Sequence, residues 1–259
     1  MPRFCANLTM LYGEFDFLDR FQAAAEDGFR GVEYLFPYAY PAEQLAERLA
    51  RHDLVQVLFN LPPGDWDAGD RGIACHPQRR AEFAEGLERA VAYARTLGCK
   101  QLNCLAGIAP EGWSRLRLET TLIDNLRLAA DRLAEVGAVL LLEAVNSRDI
   151  SGFFVDTLDY AAEIVAAADR PNLFLQYDLY HQQVMRGDLA GTFRRHKDRI
   201  RHIQIADHPG RHEPGSGEIH WSFLFELLDR EGYLGWIGLE YRPARGTRVG
   251  LSWLEAYRA

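Results

Sequence analysis

Four residues in the second half of the chain could do chemistry together: Glu143 in LLLEAVN, Asp178 in LFLQYD, Gln204 in RHIQIAD and Glu240 in WIGLE. They lie 35, 26 and 36 residues apart, each interval about the length of one strand-plus-helix unit. An ionised carboxylate drawn into an apolar run such as LLLEAV needs a partner, because desolvation costs it several kcal/mol. Three carboxylates brought together repel one another, and at least one is driven toward protonation unless a cation holds them. A divalent metal is the natural partner. Three carboxylates and an amide oxygen, with no thiolate or imidazole, suit Mg²⁺ or Mn²⁺ better than Zn²⁺ or Cu²⁺. Four protein ligands also leave open positions for a chelating substrate. Taken singly, each residue reads as a strand-end acid paired with arginine or as a cap on the next helix. The metal reading, with Glu143, Asp178, Gln204 and Glu240 as ligands, rests on all four occurring together on successive strands.

The elements that must position them are legible as a repeat. Short β-rich runs recur eight times: FCANL at 4, GVEYL at 31, LVQVLFN at 54, QLNCLAG at 101, VLLLEAV at 139, LFLQYDL at 173, RHIQIAD at 201 and WIGLEYR at 236. Segments of helical period lie between them, clearest at Phe83, Leu87, Val91, Ala94, Leu97 and at Leu118, Leu122, Leu126, Ala129, Leu133, Val136, where spacings of three and four put each set on one face. Gly98 and Gly137 mark expected helix ends and Pro41 an expected start. Strand then helix, eight times, without a linker or composition break, predicts one α/β domain over 1–259, a single (β/α)8 TIM barrel. An open doubly wound sheet fits less well, since no GxGxxG follows a strand. In a barrel, the four polar strand ends would meet at the carboxyl-terminal mouth, where active sites of this fold lie.

The 259 residues are 48% hydrophobic and 25% charged, enough for one large core. A net charge of -8 and the lack of a Lys/Arg-rich run argue against nucleic acid as a partner. No stretch reaches the ~20 apolar residues of a membrane helix, and MPRFCANL carries no secretory hydrophobic region, so the expected location is cytoplasmic. The four cysteines, Cys5, Cys75, Cys99 and Cys104, lack zinc-site spacing and read as reduced. The expected partners are a small-molecule substrate and, where the chain self-associates, copies of itself in a homo-oligomer.

His181, just after Asp178, and Arg211, in HPGRHEPGSGEI, are candidates for holding an anionic substrate. Equally, His181 could orient the site from behind and Arg211 could be a solvated loop charge. Gly215 and Gly217 could cradle a phosphate, but without a neighbouring lysine turn-making is the favoured role. Phe36, Phe59, Trp66, Trp113 and Tyr180 either wall a small pocket or cap the core. The only lysines, Lys100 and Lys197, fall at no strand's carboxyl end, which argues against Schiff-base chemistry.

Through FRGVEYLFPYAYPAEQLAERL, FNLPPGDWDAGDRGIACHP, LLLEAVN, LQYDLYHQQ, HIQIADHPGRHEPGSGEI and GLEYRP, the chain resembles the hydroxypyruvate isomerase family of the xylose-isomerase-like barrels over essentially its whole length. The resemblance implies that Glu143 and Glu240 are the catalytic, proton-transferring pair and that Glu143, Asp178, Gln204 and Glu240 bind the metal. It also implies interconversion of hydroxypyruvate and tartronate semialdehyde through an enediolate, with 2-oxo-tetronate isomerase as the near alternative. Related sugar epimerases carry histidine where this chain has Gln204, so their substrates do not transfer directly. From other classes, an apurinic endonuclease would need more imidazole ligands and a basic groove. A catalytically idle sugar-acid-binding barrel could have lost one of the paired glutamates, and both are present.

Overall fold

The computed structural model describes residues 2–257; Met1, Arg258 and Ala259, the ends of the expected 1–259 unit, lie outside the described residues. In chain order the elements are β1 (Arg3–Asn7), α1 (Arg20–Glu26), β2 (Gly31–Glu33), α2 (Ala42–Arg51), β3 (Val55–Asn60), α3 (Arg80–Leu97), β4 (Gln101–Cys104), α4 (Arg115–Ala134) and β5 (Val139–Glu143). They continue as α5 (Leu158–Ala168), β6 (Leu173–Asp178), α6 (Leu179–Met185), α7 (Leu189–His196), β7 (Ile200–Ile205), α8 (Trp221–Arg230), β8 (Trp236–Leu239) and α9 (Thr247–Gly250). All eight strands are parallel, and β1 pairs with β8, which closes the expected (β/α)8 barrel. Among the described residues, no helix is long and apolar enough to cross a membrane.

The helices form where the apolar stripes predict. Phe83, Leu87, Val91, Ala94 and Leu97 are all buried along α3. On α4 the stripe runs to Leu133, whereas Val136 lies past the last helical residue. The reason is the way the helix closes: Ala138 N donates to Leu133 O (3.0 Å) while Gly137 takes the left-handed conformation at φ 66°. Gly98 at φ 63° closes α3 by the same device, with Cys99 N donating to Ala94 O.

The main core lies between barrel and helices, where the parallel strands bury their outer faces. A smaller apolar cluster, Cys5, Val57, Leu58 and Leu141 with Val139, Phe174 and Trp236, fills the barrel's amino-terminal end. Above it the interior turns polar. Val139, Leu141 and Glu143 alternate along β5, and Phe174, Gln176 and Asp178 along β6, so the face that is greasy at the bottom becomes ionisable at the mouth.

Candidate active site at the barrel mouth

Glu143 ends β5, Asp178 ends β6, and Glu240 follows the last residue of β8; all three are buried. Glu143 Oε2 accepts from Asn103 Nδ2 on β4 at 2.8 Å. Asp178 has two tasks. Its Oδ1 caps α6, accepting from Tyr180 N (2.7 Å) and His181 N (3.4 Å), while Oδ2 faces His181 Nε2 and Arg211 Nη2, each at 3.5 Å. Arg211 Nη2 also lies 3.3 Å from Glu240 Oε1. The guanidinium therefore stands between the carboxylates of β6 and β8 and packs over the Tyr180 ring at 5.1 Å.

His181 Nε2 is 3.9 Å from Glu143 Oε1. Its other nitrogen, Nδ1, faces two donors, Asn146 Nδ2 (2.6 Å) and Asn146 N (3.4 Å), which assigns the ring hydrogen to Nε2 and aims it at the acids. Burial lowers the His181 pKa to about 4, so the ring is a neutral donor at pH 7. Burial first, and then the negative charge of Asp178, push Glu143 up to about 8. Glu240 is likewise raised by burial, against the pull of Arg211.

The structure thus brings five of the six candidate residues together. Arg211, which the sequence left as a substrate anchor or a solvated charge, is half-buried and held between acids. Its loop is held by Asp207, a fully buried acid just after β7 that the sequence reading did not single out. Asp207 accepts from His208 N (2.9 Å), Gly215 N (2.8 Å), Ile219 N (3.1 Å) and Trp221 Nε1 (2.9 Å). Gly215 and Gly217 serve this turn, as favoured; a Cβ on Gly217 would lie 2.2 Å from His208 O.

Gln204 is placed differently. It is level with Gly238 in the β7–β8 register, one layer beneath Glu240. There Nε2 donates to Glu33 Oε1 at 2.7 Å and Oε1 accepts from Gln176 Nε2. Glu33 is the other residue the sequence did not reveal. It is wholly buried inside the barrel, accepting also from His202 Nε2 (2.7 Å), Asn7 Nδ2 (2.9 Å) and Cys5 Sγ (3.4 Å). Its signal, one acid in GVEYL, is indistinguishable from an ordinary strand residue. Trp66 and Tyr180 line a cavity of about 600 Å³ with Glu143 and Glu240, while Phe36 packs on Trp66. Phe59 belongs to the core and Trp113 lies at the surface.

The residues at the mouth fit a hard divalent cation. Three carboxylates share one guanidinium charge. Glu143, Asp178 and His181 each place a ligating atom within 4.8 Å of the others. Two buried amide oxygens beside the acids, Asn103 Oδ1 and Gln176 Oε1, have no hydrogen-bond partner. The raised Glu143 pKa carries a stability consequence in the metal-free protein. The folded state keeps a proton that the unfolded chain, with a pKa near 4.5, gives up. Stability is therefore fully present below the unfolded value and lost as pH rises through about 8. In chelator, the urea midpoint is expected to fall between about pH 5.5 and about pH 8.5, with Glu143→Gln flattening the decline. A wild-type midpoint that climbs across this window contradicts the assignment.

A family model described as xylose isomerase-like TIM barrel matches residues 21–257. Hydroxypyruvate isomerase of Escherichia coli (strain K12) is 48% identical over 258 residues, covering 100% of both chains. A 2-oxo-tetronate isomerase of Cupriavidus necator is 47% identical over 257 residues, covering 99% of each. A solved structure described as an AP endonuclease, family 2, from Brucella melitensis superposes with a TM-score of 0.98 at 46% identity, covering 100% of both chains.

Proposed function

Because the chain belongs to the xylose isomerase-like TIM barrel family and, like its curated relatives, is an isomerase, we propose that it interconverts hydroxypyruvate and tartronate semialdehyde through an enediolate. The observation that carries the reading is the pair Glu143 and Glu240. Both line one cavity from β5 and the end of β8, and both are pushed toward the protonated form with Arg211 beside them. Carboxyl groups held toward the protonated form beside a guanidinium can both take and return a proton.

In the forward direction, one of the pair removes a proton from the hydroxymethyl carbon. The enediolate is reprotonated at the neighbouring carbon, and the hydroxyl hydrogen passes from the terminal to the internal oxygen. Arg211 and the Nε2–H of His181 supply fixed positive and dipolar charge near the developing oxyanion. Glu143, Asp178 and Glu240 would hold Mg²⁺ or Mn²⁺. Gln204 would add Oε1 by giving up the hydrogen bond it accepts from Gln176 Nε2, while Nε2 keeps its bond to Glu33. Such an ion, when bound, supplies Lewis-acid stabilisation of the enediolate oxygens. Four buried free thiols fit a reducing, cytoplasmic setting.

The test is a coupled assay with hydroxypyruvate after chelation. Activity should disappear and return with Mg²⁺ or Mn²⁺. Failure under every metal would favour an idle acid-binding barrel. The cavity of about 600 Å³ admits a four-carbon acid as readily as a three-carbon one, so the same assay with 2-oxo-tetronate ranks the two by kcat/KM. The net charge of -8 opposes a phosphate backbone, and abasic DNA should remain uncut.

A further inference from the structure

The string LPPGDWDAGDRG, between β3 and α3, has no part in the proton-transfer site, yet it delivers Arg71 and Trp66 to the same cavity. We propose that Arg71 is the receptor for the substrate's carboxylate and so confines the site to acids. This rests on the reading that the substrate is a small hydroxy-oxo acid.

An anion entering a mouth that already holds three carboxylates needs a cation not yet committed. Three arginines line the cavity. Arg211 is committed to Asp178 and Glu240. Arg242 is exposed, where water screens a single charge. Arg71 is half-buried and, among the described residues, forms no ion pair. Its Nη1 donates to Trp66 O (2.9 Å) and Asp70 O (2.6 Å), and its guanidinium lies 4.2 Å from the Trp66 ring centroid. One edge and one face are thereby anchored. The Nε–Nη2 edge keeps the two parallel donors that a carboxylate accepts in bidentate fashion.

The loop is also rigid enough to aim that edge. Asp70, which could have neutralised Arg71, is turned away to accept from Asp65 N (2.6 Å) and Arg79 Nη1 (2.7 Å), and Gly72 N donates to Pro63 O (2.9 Å). Around the barrel, β3 lies across from β7, two strands from β5 and three from β8, so its loop reaches the mouth from outside the β5-to-β8 arc that carries the acids. A carboxylate seated on Arg71 thus leaves the other end of the substrate directed at Glu143 and Glu240.

The test compares wild type, Arg71→Met, Arg71→Lys and Arg242→Met, each loaded with Mg²⁺. Calorimetry would measure binding of glycolate, an unreactive hydroxy acid, and of its uncharged counterpart glycolamide. Arg71→Met should weaken glycolate by ~100-fold and leave glycolamide unchanged; Arg71→Lys should recover part of the loss; Arg242→Met should stay within ~3-fold of wild type. In turnover of hydroxypyruvate, the loss should fall mainly on KM. Equal weakening of glycolate and glycolamide would mean that the loop merely loosened, and would overturn the assignment. So would unchanged glycolate binding in Arg71→Met, or a larger loss in Arg242→Met. Absence of turnover by the wild type counts against the isomerase reading alone, since glycolate binding still reports on Arg71.

Discussion

Replacing Glu240 with glutamine is expected to lower kcat by ~10³-fold and to stop solvent deuterium entering the substrate, while divalent-metal binding is largely kept. The substitution is nearly isosteric and removes only the capacity to carry a proton. An amide oxygen can still accept from Arg211 Nη2, now 3.3 Å from Oε1, and Arg211 retains Asp178 at 3.5 Å. The barrel mouth should therefore stay assembled. Glu143→Gln should lose activity on the same scale, since an amide oxygen can keep the bond from Asn103 Nδ2 now made to Oε2. Full isomerase activity in either variant would remove that residue from the proton-transferring pair. Deuterium exchange surviving without net turnover would show that the residue acts in only one half of the reaction.

The second large effect is expected on stability. Despite complete burial, Glu33 is held below the usual carboxylate range, first by the charge of His202 and then by hydrogen bonds from His202, Gln204 and Asn7. A lowered folded pKa means that this contribution is present above the ordinary carboxylate pKa and is lost on acidification. Glu33→Ala would strand several buried donors at once, and removal of one partner from a buried charged network costs about 3–5 kcal/mol. Gly238→Ala should damage the same network from β8, on the other side of β1, because a Cβ there would lie 2.3 Å from Glu33 Oε1 and 2.4 Å from Oε2. Equilibrium urea unfolding would measure both. A loss under about 1 kcal/mol in Glu33→Ala would mean that the network is not under the expected electrostatic load.

Glu33 and Gly238 also mark where reading the chain residue by residue ceases to work. Short β-rich runs and helical spacing of three and four are local signals, and they identify all eight strands and the buried stripes of α3 and α4. Acids at the carboxyl ends of strands in one barrel must share a mouth, so Glu143, Asp178 and Glu240 on β5, β6 and β8 were legible in the sequence. Arg211 was visible only as one of two alternatives, because its burial depends on how Asp207 folds the loop after β7.

By itself, then, the order of residues determined the repeat, the closed barrel it builds and the set of strand-end acids, since each follows from short-range periodicity. Tertiary structure alone decided that Glu33 is charged inside the barrel, that Gln204 points Nε2 at it, that Arg211 separates Asp178 from Glu240, and that Arg71 faces the cavity uncommitted. The physical reason is that Coulomb forces and desolvation act across the barrel between residues distant in the chain, and neither leaves a periodic mark in sequence.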